Sequence, residues 1–297
     1  MPVTVQLGLV LSVATAFVSI VGFLFKHRGA VGAAPVDARH PVRSTVALFS
    51  NKWWTIGILV AMGSWLLHTA ALALAPITLV QATIAGGLVL LTVVAEKLFA
   101  IPVTRREWIG VGLTALGLAF LAATLGDTGD EKHADYGART LTLYVGGLAL
   151  LSVPLMLAAT RPPYRRWAGT LLAAAAGLQW GASDVTIKAA TGGLADDGLL
   201  VLFTPLAATV LVLSLVGLIV SARSLQLGEA VPVIAVTSAA ANLCTIASGM
   251  VVFGEPLPEG DGAVALRVLA LALVVVAAAL TPGPVGTARR PAQPEPA

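Results

Sequence analysis

Charge is what this chain has least of. Lys, Arg, Asp and Glu together make up 11% of its 297 residues, against about a quarter in soluble domains, and that excludes an ordinary water-solvated globule. Cysteine is almost missing. Cys244 stands alone in an apolar run, so neither an internal disulfide nor a Cys-based metal cluster is available. Aromatic residues are 6% of the total, and the 18 basic and 15 acidic side chains leave a formal charge of only +3. The basic residues sit in short connections rather than in one patch interleaved with aromatics, so nucleic-acid binding has no support. There is also no Ser/His/Asp set, no HExxH and no phosphate-binding loop, which leaves an enzyme reading without residues and gives no reason to expect a cofactor.

Apolar runs are what the chain has in abundance. Hydrophobic residues make up 57% of it, and the mean hydropathy is +0.90. Between Thr55 and Val94 only His68 can carry a charge, and Pro76 alone interrupts the run. A stretch of that length, halved by a proline, reads as two membrane-spanning helices joined by a tight turn, because each helical crossing takes about 20 apolar residues. The pattern repeats along the chain. Spans are expected at 4–25, 53–74, 77–97, 107–125, 140–160, 167–190, 199–220, 230–252 and 264–281, giving an all-α polytopic membrane protein of nine transmembrane helices.

The connections support an odd number of crossings. One side of the expected bilayer carries fourteen Lys and Arg residues, Lys26 among them, and the other carries only Lys132, Arg139 and Arg267 beside a cluster of acids. Positive charge is retained in the cytoplasm, which places the N-terminus outside and the C-terminus inside the cell membrane. The opening segment MPVTVQ has no positive residue before its apolar run, so that run is expected to stay as a helix rather than be removed as a signal. Gly29 to Ser50 is a long inner loop with room for a short interfacial helix. The tail after Leu280 is proline-rich and too poor in apolar residues to pack.

A faint internal repeat gives these helices an order. FLFKHRGA at Phe23–Ala30 aligns with VTIKAATG at Val185–Gly192, which pairs Lys26 with Lys188. AEKLF, with Glu96, aligns with GEPLP, with Glu255. Residues 1–125 then form one four-helix repeat, 126–166 a connecting fifth helix with an acidic outer loop, 167–281 a second repeat, and 282–297 the tail. An odd helix between the copies turns the second upside down, which is the 4+1+4 inverted architecture of carriers with a central site.

Several short motifs add to this. Lys26 and Gly29 follow the first span, Trp53-Trp54 open the second, and Ala73-Leu74-Ala75-Pro76 close it. Leu79-Val80 open the third, Glu96-Lys97 end it, and Trp108, Gly110 and Gly117 mark the fourth. In these residues the chain resembles the NIPA-like magnesium transporters of the drug/metabolite transporter (DMT) superfamily, closely over the first 125 residues and loosely beyond them through GASDVTIKAA and FGEPLP. The resemblance implies nine helices, an external N-terminus and cation transport. Many family members carry an acidic residue in the middle of the second helix, where this chain has Gly63-Ser64, so no carboxylate is inherited there.

Polar groups inside a bilayer are costly and are functional candidates until a partner explains them. Asp184 is the one carboxylate within an expected span and away from its ends, about 9 Å inside the outer end of the sixth helix. Lys188 lies one turn further out on the same face, so the two read either as a self-neutralising ion pair or as a coupling pair. His68 and Gln81 fall at a similar depth in the second and third helices. Gln179, Ser64 and Asn242 lie near the midplane, where carriers place their sites, although interhelical hydrogen bonding would also retain them. Asp184, His68, Gln81, Gln179, Ser64 and Asn242 are the candidate substrate site, with Asp184 the one candidate metal ligand and Lys188 its ion-pair or coupling partner. Mg²⁺ dehydrates reluctantly and is held by one or two carboxylates, so an organic or zwitterionic solute suits the Asp184–Lys188 pair at least as well. The expected partners are the lipid bilayer and a small-molecule or cation substrate, with a homodimer left open. A non-transporting membrane scaffold is the competing reading, and convergence of these polar residues on one cavity separates the two.

Overall fold

The computed structural model describes residues 3–37, 40–86, 135–192, 198–255 and 260–280, with scattered positions between 94 and 120. Every regular element among them is helical: α1 (Val3–Val31), α2 (Pro41–Phe49), α3 (Lys52–Leu74), α4 (Ile77–Gly86), α5 (Ala138–Thr160), α6 (Ala168–Gly192), α7 (Pro205–Leu227), α8 (Ala230–Val251) and α9 (Asp261–Leu280). Short 3-10 turns cover Pro162–Trp167 and Gly198–Phe203. Five helices, α1, α3, α5, α7 and α8, are long and apolar enough to cross a membrane by length and composition.

Two expectations shift. The seventh span, expected from residue 199, begins at Pro205, with a 3-10 turn ahead of it. Pro205 therefore opens a helix, where its missing N–H costs nothing. Lys26, counted above with the loop charges, lies inside α1 and is only 4% exposed. The inner loop does hold a helix, α2, which leaves Val42, Val46 and Phe49 exposed along one face. Most of the fourth span, most of the second half of the third with Glu96, most of the acidic loop, and the tail lie outside the described residues.

The outer surface is the reverse of a soluble protein's, and hydroxyls join the apolar interior. Leu143, Leu150 and Leu157 of α5, and Leu59, Met62 and Leu66 of α3, are exposed, while Ser12, Thr15, Ser64, Ser152, Ser183, Thr186, Ser224 and Thr237 are buried. Buried hydroxyls close on backbone carbonyls three or four residues back, as Ser12 does on Gly8 and Thr237 on Val233. In lipid such internal satisfaction is obligatory, and apolar side chains on the outer face cost nothing. This is the surface of a protein solvated by acyl chains.

Small residues set how closely the helices pack. α1 lies against α3 in the most extensive helix pair, and α6 carries α7, α8 and α5 around it. A Cβ at Gly29 would come within 2.3 Å of the Trp54 backbone nitrogen, and one at Gly177 within 2.5 Å of the Thr237 carbonyl oxygen. Gly8 faces Ala75 and Gly22 faces Ala61, so α1 and α3 are antiparallel. His68 and Leu72 of α3 meet Asp184 and Lys188 of α6 in the same chain order, so those two helices point the same way.

The α3–α4 turn at Ala75–Pro76 leaves two helix ends to satisfy, and both are met from the other half of the chain. The Lys188 ammonium donates to the carbonyls of Leu72 and Ala75, each at 2.9 Å. At the start of α4 the Glu255 carboxylate accepts from the Thr78 hydroxyl and backbone N–H. A cation at a helix C-terminus and an anion at an N-terminus are both aligned with the helix dipoles. The junction is thereby fixed, and with it the depth of α4.

Candidate solute-binding site

Because α4 folds back beside α3, residues roughly equidistant from the turn come level. His68 is seven positions before Ala75 and Gln81 six positions after it, or about 10 Å and 9 Å along their helices. Asp184 of α6 arrives at the same level because α6 runs parallel to α3. The three side chains meet. The Gln81 amide nitrogen is 3.1 Å from His68 Nε2 and donates to Asp184 Oδ2 at 3.3 Å, while His68 Nδ1 is 3.6 Å from Asp184 Oδ1.

This arrangement favours one protonation pattern. Gln81 can donate one amide proton to the carboxylate and the other to Nε2 only if Nε2 is bare, which puts the imidazole proton on Nδ1, facing Asp184. The Nδ1 proton then points at the carboxylate across 3.6 Å, longer than a hydrogen bond. A second proton on the ring would make an ion pair at the cost of the Gln81 bond. The cluster can therefore take up a proton or a cation, or accept hydrogen bonds from an ammonium or hydroxyl group.

The triad forms part of the wall of a cavity of about 700 Å³ between α1, α3, α4, α6, α7 and α8. Ser64 and Asn242 also line it, although the Ser64 hydroxyl is already donated to the Thr15 carbonyl at 3.1 Å. Gln179 goes elsewhere. It is 4% exposed and donates to Ser152 Oγ at 2.6 Å, which ties α6 to α5 away from the cavity. Lys188 does not meet Asp184 as the i,i+4 spacing suggested: Asp184 is held by His68 and Gln81, and the ammonium lies over the α3 carbonyls. Two carbonyls at the end of a helix offer a buried ammonium more than a carboxylate that already has partners.

Sequence reasoning missed other lining residues, namely Lys26, Trp65, Trp180 and Ser214. Lys26 had a signal, its alignment with Lys188, but its place at the end of an apolar run made it look like a loop charge. Trp65 and Trp180 carry no polar pattern that separates a cavity wall from a lipid face.

Among the described residues no three His, Cys, Asp or Glu side chains gather to hold a metal ion. One carboxylate and one imidazole make a sparse first shell for Mg²⁺, which prefers six oxygens in an octahedron.

Comparison with known proteins finds a distant relative. The chain is 23% identical over 272 residues to a protein described as a probable magnesium transporter, NIPA9, of Arabidopsis thaliana, and the alignment covers 88% of this chain and 77% of that protein. No protein-family model matches the chain. No solved structure matches it either.

Proposed function

We propose that this protein is a multi-pass membrane carrier of NIPA-like, drug/metabolite-superfamily type, which exposes a cavity at Asp184 alternately to the two sides of the cell membrane. The observation that carries the reading is the convergence of His68, Gln81 and Asp184 on one cavity wall inside an apolar bundle. A scaffold has no use for an ionisable cluster lining a chamber, since such groups are expensive in a membrane and mark solute or proton paths.

Helix directions and pairings support the inverted 4+1+4 arrangement. α1 opposes α3, α3 parallels α6, and so α1 opposes α6, as the first helices of two oppositely oriented copies must. The extensive pairs α1·α3 and α6·α7 are equivalent under that scheme, as are the cross-pairs α1·α7 and α3·α6, and α4 packs on its counterpart α8. With nine crossings the N-terminus is outside and the C-terminus cytoplasmic.

The solute is a small polar molecule or a cation. Mg²⁺ follows from the printed description of the Arabidopsis relative, with Asp184 as its carboxylate and water filling the remaining positions. The test is flux into and out of reconstituted vesicles with Mg²⁺, other divalent cations and an amino-acid panel. At least one of these should move, and Asp184→Asn should slow it at least tenfold. Transport by Asp184→Asn at the wild-type rate would remove the site assignment, and no flux of any solute would favour the scaffold.

A further inference from the structure

Asp184 is not the only ionisable group facing the cavity. Lys26, near the end of α1, lines the same chamber and is 4% exposed. Its ammonium stands 3.7 Å from the centre of the Phe23 ring. Among the described residues neither ion pair involves it, and no acceptor closes on it as the α3 carbonyls close on Lys188. One aromatic face offsets only a fraction of what it costs to take an ammonium out of water. The side chain lies back over Phe23 and toward the chamber, in the direction a helical side chain leans.

We infer that Lys26 is an anion-binding subsite of the cavity, taking the carboxylate or phosphate group of the carried solute. The inference rests on reading the chamber as the solute path, and it narrows the solute class. Lys26 sits level with Gly57, and its ammonium about one turn nearer the midplane. His68 is eleven positions further along α3, so the two poles are roughly 10 to 15 Å apart along the axis. A solute with an anionic end at Lys26 and a cationic or hydroxyl end at the Asp184 cluster is complementary to both. A bare divalent cation is complementary only to the second and is repelled at the first.

The test is binding by the purified full-length protein at fixed ionic strength, read as a saturable rise in the thermal unfolding midpoint with inorganic phosphate and, separately, with acetate. Wild type should respond to at least one of them. Lys26→Arg should keep the response, and Lys26→Gln should need at least tenfold more anion for the same shift. Phosphate alone or acetate alone identifies which anionic group the site prefers. No saturable response in the wild type, or an equal response in Lys26→Gln, overturns the inference. If Lys26→Gln does not fold, an unchanged response in Lys26→Arg and its loss in Lys26→Met decides for the subsite, and equal responses decide against it. Asp184→Asn should keep the anion response while losing flux, so failure of the carrier reading and failure of this subsite show up in different assays.

Discussion

Lys26 and Lys188 are the same residue at matching positions of two aligned segments, and the structure treats them in opposite ways. Lys188 is 1% exposed and bonded to two carbonyls that end α3. Lys26 is 4% exposed and faces an open chamber over a phenyl ring. The difference lies in the turns they approach. The α3–α4 turn at Ala75–Pro76 depends on Lys188 and Glu255 for its helix ends. The α7–α8 turn at Gly228–Glu229 is joined to the α1 end by another group: the Gln226 side chain, two residues before the turn, donates to the Ala30 and Ala34 carbonyls and accepts from the Val36 N–H. That link does not use Lys26, which is left for the cavity. Sequence symmetry does not force equal roles when neighbouring side chains can fill one of them.

The largest effect expected from breaking this contrast is on transport. Asp184→Asn leaves a neutral group in the cluster and should reduce flux at least tenfold, about 1.4 kcal/mol or more in the barrier, measured in vesicles. Next is stability. Lys188→Met orphans two buried carbonyls and should cost about 2–4 kcal/mol, whereas Lys26→Met removes a buried ammonium that lacks an acceptor and should change stability by less than about 1 kcal/mol. Denaturant unfolding in detergent measures both, and equal costs would erase the distinction between the two lysines. Gly29→Ala drives a methyl against the Trp54 backbone and should cost about 1–3 kcal/mol by overpacking. The smallest change is expected at Gln179. Its carbonyl oxygen is buried without a partner among the described residues, so Gln179→Met exchanges one bond to Ser152 for relief of that oxygen and should alter stability by under about 1 kcal/mol, with flux unaffected. A large flux loss there would return Gln179 to the site.

Much of the helical framework was legible before any coordinates, because apolar runs of about 20 residues admit few structures in lipid. α1, α3, α5, α6 and α8 begin within a few residues of where the runs do. The equal depth of His68, Gln81 and Asp184 was also legible from helical rise alone. Contact was not, because depth says nothing about rotation about the helix axis. The Lys188 expectation failed for the same reason. An i,i+4 spacing places two residues on one face of α6, but the best acceptors for the ammonium were on α3, more than a hundred positions away in sequence.

Hydropathy and loop charge were enough to establish that this chain forms a bundle of apolar helices, and roughly where most of them run, since both follow from local composition and the thickness of a bilayer. Which polar side chains meet was decided only in three dimensions. It depended on α6 lying parallel to α3, on the depth at which the clamped Ala75–Pro76 turn sets α4, and on glycines that let helix backbones approach. Those are relations between segments far apart in the chain, and no local pattern encodes them.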